Sequence, residues 1–166
     1  KTKPIVTAKK PSPTVIAKKS PKGNYWKGRL AYKKGDYANA LREWEPLAEH
    51  GNIKAQVDLG VMYRLGQGVP QNHETAVKWF RLAAEQGEAT AKDILGFMYA
   101  KGEGVPEDNQ KAVKWFRRAA EQGYANAQHN LGLMYAHGKG VLKDDKEAAK
   151  WYRRAAERGM AKAQSN

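Results

Sequence analysis

Three stretches of this chain are near copies of one another, each 36 residues long. "AQVDLGVMYRLGQGVPQNHETAVKWFRLAAEQGEAT" begins at Ala55, "AKDILGFMYAKGEGVPEDNQKAVKWFRRAAEQGYAN" at Ala91 and "AQHNLGLMYAHGKGVLKDDKEAAKWYRRAAERGMAK" at Ala127. Gly60, Gly96 and Gly132 keep the step, as do Met62, Met98 and Met134, and Trp79, Trp115 and Trp151. A fixed period of this length requires every unit to fold alike and to bury its apolar face against its neighbours. "AQSN" from Ala163 opens a fourth unit, and "ALREWEPLAEHG" from Ala40 to Gly51 matches the second half of an earlier, shorter one.

Each unit reads as two helices. Ala55, Leu59, Met62 and Tyr63 recur at helical spacing and form one apolar face; Ala76, Phe80, Ala83 and Ala84 form another, with Trp79 beside them. Gly60 and Ala84 are small enough for close backbone approach. Asn72, Asp108 and Asp144 are predicted to cap the second helix, and Asp144 with Glu147 fits a capping box. Gly87, Gly123 and Gly159 are predicted as left-handed stops. Glu85, Glu121 and Glu157 lie four residues after Arg81, Arg117 and Arg153, spacing that predicts pairs along one helix.

The first helix runs into "GQG", "GEG" or "GKG". A phosphate cradle would need a strand before the glycines and either a third glycine or a "GK[ST]" ending. Those are missing, so Gly66 is read as a helix stop and Gly68 as the residue that lets the chain reverse.

At these residues, "LGxMYxxGxGVPxDxxKAVKWFRxAAEQGxxxA" closely resembles the Sel-like repeat family, a relative of tetratricopeptide repeats. The resemblance covers about residues 25–166. It departs at Leu142, where Pro70 and Pro106 stand in the other units, and in the shorter loop after Tyr32. It implies an all-α fold, a right-handed superhelical solenoid of stacked helix–turn–helix units, with a role as adaptor or scaffold. Family members bind proteins in signalling, secretion and envelope assembly, and bacterial ones are often exported. The expected layout is a basic arm over 1–24, a divergent helix pair over 25–51, and three repeats plus the start of a fourth over 52–166.

Charge is unevenly spread. Residues 1–24 hold seven lysines, four prolines and no acid, in a chain whose net charge is +13. Such a segment lacks the apolar groups to offset the entropy of ordering and is expected to be extended. It serves either as a linker or, through Lys9, Lys10, Lys18 and Lys19, as a grip on an acidic partner or anionic polymer. The second helices carry a basic column of Lys78, Arg81, Lys114, Arg117, Lys150 and Arg153, with Arg118 and Arg154 beside it. That ridge could contact phosphate, but the repeat places it in every unit and local glutamates can pair it.

Chemistry is thinly supplied. There is no cysteine, so thiolate metal sites and a Cys nucleophile are excluded. His129 and His137 are eight residues apart, outside the i, i+4 spacing of a helical zinc pair. The recurring glutamates share one environment, whereas acid–base catalysis needs carboxylates in unlike ones. The expectation is a protein without catalysis, cofactor or metal.

Function is more legible where the units differ. Opposite the Leu59/Tyr63 face lie Val57, Val61 and Arg64; then Asp93, Phe97 and Ala100; then His129, Leu133 and Ala136. In a superhelix of helix pairs the first helices line the concave surface. Val61, Phe97 and Leu133 would then form an apolar track flanked by Arg64, Asp93, Lys101, His129 and His137, where a partner protein or peptide could lie. The same track could instead be packed between neighbouring helices. The favoured reading is a protein-binding adaptor, in the periplasm or cell envelope or else the cytoplasm. The other is an envelope or nucleic-acid-associated factor that uses the basic arm and ridge.

Overall fold

The computed structural model describes residues 22–164, with side chains to residue 159. Lys9, Lys10, Lys18 and Lys19 of the basic arm lie outside the described residues. Eight helices follow in order: α1 (Tyr25–Lys33), α2 (Tyr37–Glu49), α3 (Ile53–Leu65), α4 (His73–Glu85), α5 (Ala89–Lys101), α6 (Asn109–Glu121), α7 (Ala125–His137) and α8 (Asp145–Gln164). Among the described residues there is no strand. The substantial contacts all join helices consecutive in the chain. Four helix pairs therefore stack as an all-α repeat solenoid.

Within a pair, an aromatic ring of the second helix rests on a glycine of the first. A Cβ at Gly60 would stand 2.7 Å from the Phe80 ring, at Gly96 2.6 Å from Phe116, and at Gly132 2.7 Å from Tyr152. Between pairs, the second helix of one unit shares a core with the first helix of the next. Trp44, Leu47 and Ala48 of α2 cluster with Ala55, Leu59 and Met62 of α3. Val77, Phe80 and Ala84 of α4 cluster with Ala91, Leu95 and Met98 of α5. Phe116 and Ala120 of α6 do the same with Leu131 and Met134 of α7. Each fully buried Leu, Met or Phe in these clusters stabilises the stack by about 1.5–3 kcal/mol relative to an exposed one.

The Gly-x-Gly loops hold units together. Gly66, Gly102 and Gly138 end α3, α5 and α7 in the left-handed conformation, at φ 69°, 69° and 65°. Gly68, Gly104 and Gly140 are also left-handed, and each has its Cα against the start of the preceding second helix, at Tyr37, His73 and Asn109 respectively. Turn chemistry is only half of their role; the other half is this approach between units.

Asn72 accepts from the Thr75 N–H at 2.8 Å and Asp108 from the Lys111 N–H at 2.9 Å, as expected of caps. Asp144 accepts from the Glu147 N–H at 3.0 Å, but the Glu147 carboxylate turns to Lys150 at 2.8 Å, so the capping box is half formed. Gly87 and Gly123 stop their helices with φ of 103° and 81°. Gly159 does not: α8 runs through it to Gln164. The residues after it, "MAKAQ", are strong helix formers that continue the ladder.

The intrahelical Arg–Glu pairs are also absent among the described residues. Arg81 instead donates to the Tyr99 hydroxyl at 3.0 Å, and Arg117 to the Tyr135 hydroxyl at 2.6 Å. A tyrosine fixed on the next helix is a better partner than a solvated glutamate, which gains little from an exposed ion pair.

The first pair departs from the others. Lys27 stands where Leu59, Leu95 and Leu131 are buried, and pairs with Glu43 at 2.7 Å. Leu30 occupies the place of Met62 yet is 55% exposed, against 0% for Met62. In the later units that face meets a preceding second helix; among the described residues none precedes α1.

Candidate partner-binding face

The first helices α1, α3, α5 and α7 are tied to one another by a diagonal series of side chains. Tyr25 donates to Asp58 Oδ2 at 2.8 Å, joining α1 to α3. Asn130 donates to Asp93 Oδ1 at 2.9 Å, joining α5 to α7. Both bonds join the position held by Val57 or Asp93 to the next unit's position held by Asp58, Ile94 or Asn130. At the middle step both places are apolar: Val57 and Ile94 are half-buried against one core cluster. The ties thus run polar, apolar, polar.

Burial pushes the carboxyls of both Asp58 and Asp93 above their ordinary range. The bond from Tyr25 and the charge of Arg29 pull Asp58 partly back, and the bond from Asn130 does so for Asp93. Each is committed to a neighbouring helix, which is a structural use of a carboxylate.

Beside these ties the face opens. Phe97 and Leu133, at one position in successive units, are each 37% exposed, whereas Leu95 and Leu131 two residues earlier are fully buried. The Arg64 guanidinium lies 5.1 Å from the Phe97 ring centroid and donates to Glu103 at 3.1 Å. Lys101 approaches the same ring at 6.0 Å. Between α5 and α7, Phe97, Leu133 and Met134 line a depression together with Lys101, His137 and Lys139. Further along the same side, Tyr25, Trp26, Lys54, Val57 and Asp58 line a second hollow.

The frame that presents this face matches the family model described as Sel1 repeat over residues 53–88, 91–124 and 125–160. The chain belongs to the Sel1 repeat family. Its solenoid is similar to the crystal structure of a Sel1 repeat protein from Oxalobacter formigenes, at 41% identity and a TM-score of 0.77, covering 81% of this chain and 56% of that one. It is similar to c5321, a protective antigen of uropathogenic Escherichia coli strains displaying an SLR fold, at 40% identity and a TM-score of 0.75, covering 78% of this chain and 29% of that one. Helicobacter pylori cysteine rich protein B shares the fold at 23% identity and a TM-score of 0.58, covering 74% of this chain and 87% of that one. None of the curated proteins compared with the chain matches it.

In this Sel1 array the residues singled out by sequence fall into three groups. Val57 and Val61 are half-buried and pack on the core, so for them the helix-packed alternative carries much of the role. Arg64 and Asp93 are held by Glu103 and Asn130. Phe97, Lys101, Leu133 and His137 are exposed around the depression, and His129, also exposed, sits 5.3 Å from the Tyr152 ring. Among the described residues no three His, Cys, Asp or Glu converge to hold a metal ion. No described helix is long and apolar enough to cross a membrane.

Other members of the face escaped the sequence reading. Trp26 is 69% exposed, with Lys54 5.7 Å from its ring and 5.8 Å from that of Tyr25. Asp58 and Asn130 carry the inter-helix bonds. Their signal was polarity at a position where Ile94 is apolar, but no periodicity shows which unit a side chain reaches. The basic ridge on the second helices is partly engaged: Arg118 stacks over Trp115 at 4.9 Å and Arg154 over Trp151 at 4.8 Å.

Proposed function

We propose that this Sel1 array is a non-catalytic adaptor or scaffold that holds a protein partner along the face of its first helices. The observation that carries the reading is the exposure of Phe97 and Leu133 at equivalent positions, 37% each, on helices whose Leu95, Met98, Leu131 and Met134 are buried. Exposed large apolar side chains that recur on one face mark interaction surfaces, and a groove between helices suits a helix or an extended segment. The half-buried carboxyls of Asp58 and Asp93 serve the stack, each bonded to a neighbouring first helix. A bacterial setting, with work in the periplasm or cell envelope, is supported by the bacterial sources of the similar structures and by the antigenic character of c5321.

A photo-crosslinking amino acid placed at position 133, and in a parallel sample at position 82, tests this. Leu82 is 45% exposed on α4, a second helix. The expected result is a discrete protein adduct from position 133 and none from position 82. Equal or absent adducts would overturn the assignment of the face.

A further inference from the structure

We infer that the depression between α5 and α7 receives a short acidic segment carrying one bulky apolar side chain. The inference rests on the protein-binding reading above and adds a ligand chemistry to it. Two observations carry it.

The first is the floor. Phe97 and Leu133 are exposed there, with Met134 beside them. Arg64 stacks on the Phe97 ring at 5.1 Å and holds it in place. A partner that fills the hollow with an apolar side chain removes this surface from water without first having to order it.

The second is uncompensated charge. Lys101 and Lys139 line the hollow, are exposed, and take part in none of the ion pairs among the described residues. The nearby carboxylates are already engaged: Glu103 with Arg64, and Asp93 with Asn130. Two free cations over an apolar floor are complementary to carboxylates flanking an apolar residue. Nucleic acid suits the site less well. Single strands are held by aromatic platforms on which bases stack in succession, and here Phe97 is the exposed ring, with Leu133 and Met134 beside it and Phe116 buried.

The probe is a fluorescein-labelled peptide with one Phe between two runs of three Asp or Glu. Its counterparts replace Phe by Ser, or the acids by Lys. Anisotropy titration of the full chain at low salt should show saturable binding of the acidic Phe peptide and weak binding of both counterparts. The double variant Lys101→Glu/Lys139→Glu should lose about tenfold in affinity and gain preference for the Lys-flanked peptide. Phe97→Ala should lose about fivefold or more, with helicity by circular dichroism unchanged. No binding by the wild-type chain, equal binding of the Ser peptide, or indifference to the lysine substitutions would overturn the inference. So would an oligothymidylate that binds with the same dependence on Lys101 and Lys139. If the adduct at position 133 maps to a basic partner segment, this inference fails and the protein-binding reading stands. If position 133 yields no adduct beyond the position 82 control, both fail.

Discussion

Asn130 of α7 donates to Asp93 of α5 at 2.9 Å, and the bond satisfies a carboxylate that burial still penalises. Because the Asp93 carboxyl is raised above its ordinary value, the folded chain keeps, in the pH window between the two values, a proton that the unfolded chain has released. Asp93 therefore favours the fold most below its unfolded value of about 4, and this contribution is lost as pH rises through the raised folded value. Asp93→Asn keeps an acceptor for Asn130 and removes the charge. The expected outcome is a higher Tm at pH 7, with the gain shrinking as pH falls toward about 4. Thermal melts across that range check it.

Asp108 runs the other way. Its carboxylate is held below the ordinary range, first by the Lys111 N–H and then by the Lys111 side chain. Its contribution is fully present above the unfolded value of about 4 and is lost as pH falls through the lowered folded value. Asp108→Asn, which can still cap α6, should flatten the acid limb of the stability profile by lowering stability at pH 7 toward its acid value, with little change at low pH. Acid titration followed by circular dichroism reads this.

The second glycine of each loop should matter more than an ordinary left-handed glycine. Gly87 has φ of 103° and nothing within 4 Å of a built Cβ. Gly87→Ala should cost about 1–2 kcal/mol, from conformation alone. Gly104 has φ of 71° and meets the His73 backbone. Gly104→Ala should cost roughly a further 1–3 kcal/mol from overpacking between units. Chemical denaturation of the two variants gives the comparison.

The Arg–Tyr bonds between units call for a double-mutant cycle. Arg81→Ala with Tyr99→Phe should show a coupling of about 0.5–1.5 kcal/mol, as expected of a hydrogen bond. Arg81→Ala with Glu85→Gln should show a coupling near zero, because Arg81 donates to Tyr99 and Glu85 is exposed.

The helix pairs and most of their caps were legible because each follows from a local pattern that repeats, whereas Gly60, read as room for close backbone approach, receives the Phe80 ring. Asn72 caps where its type and place say it should, and Gly66 stops α3 as expected. What was not legible lies between units. The Tyr25–Asp58 and Asn130–Asp93 bonds depend on how far one pair is rotated against the next, and a 36-residue period carries no such angle. For the same reason Val61 and Phe97 looked alike in sequence, yet Val61 packs on the core and Phe97 is exposed. Arg81 could be placed beside Glu85 by spacing, but the sequence did not show that Tyr99 would come within reach.

The affinity of the partner captured at position 133 for the double variant Phe97→Ala/Leu133→Ala is the most direct test of the face itself. Both side chains are 37% exposed, so the variant should keep its helicity and its Tm within a few degrees. The expected result is a loss of at least about tenfold in affinity, the scale of a small hot spot. Wild-type affinity in a folded double variant would contradict the claim that this face holds the partner.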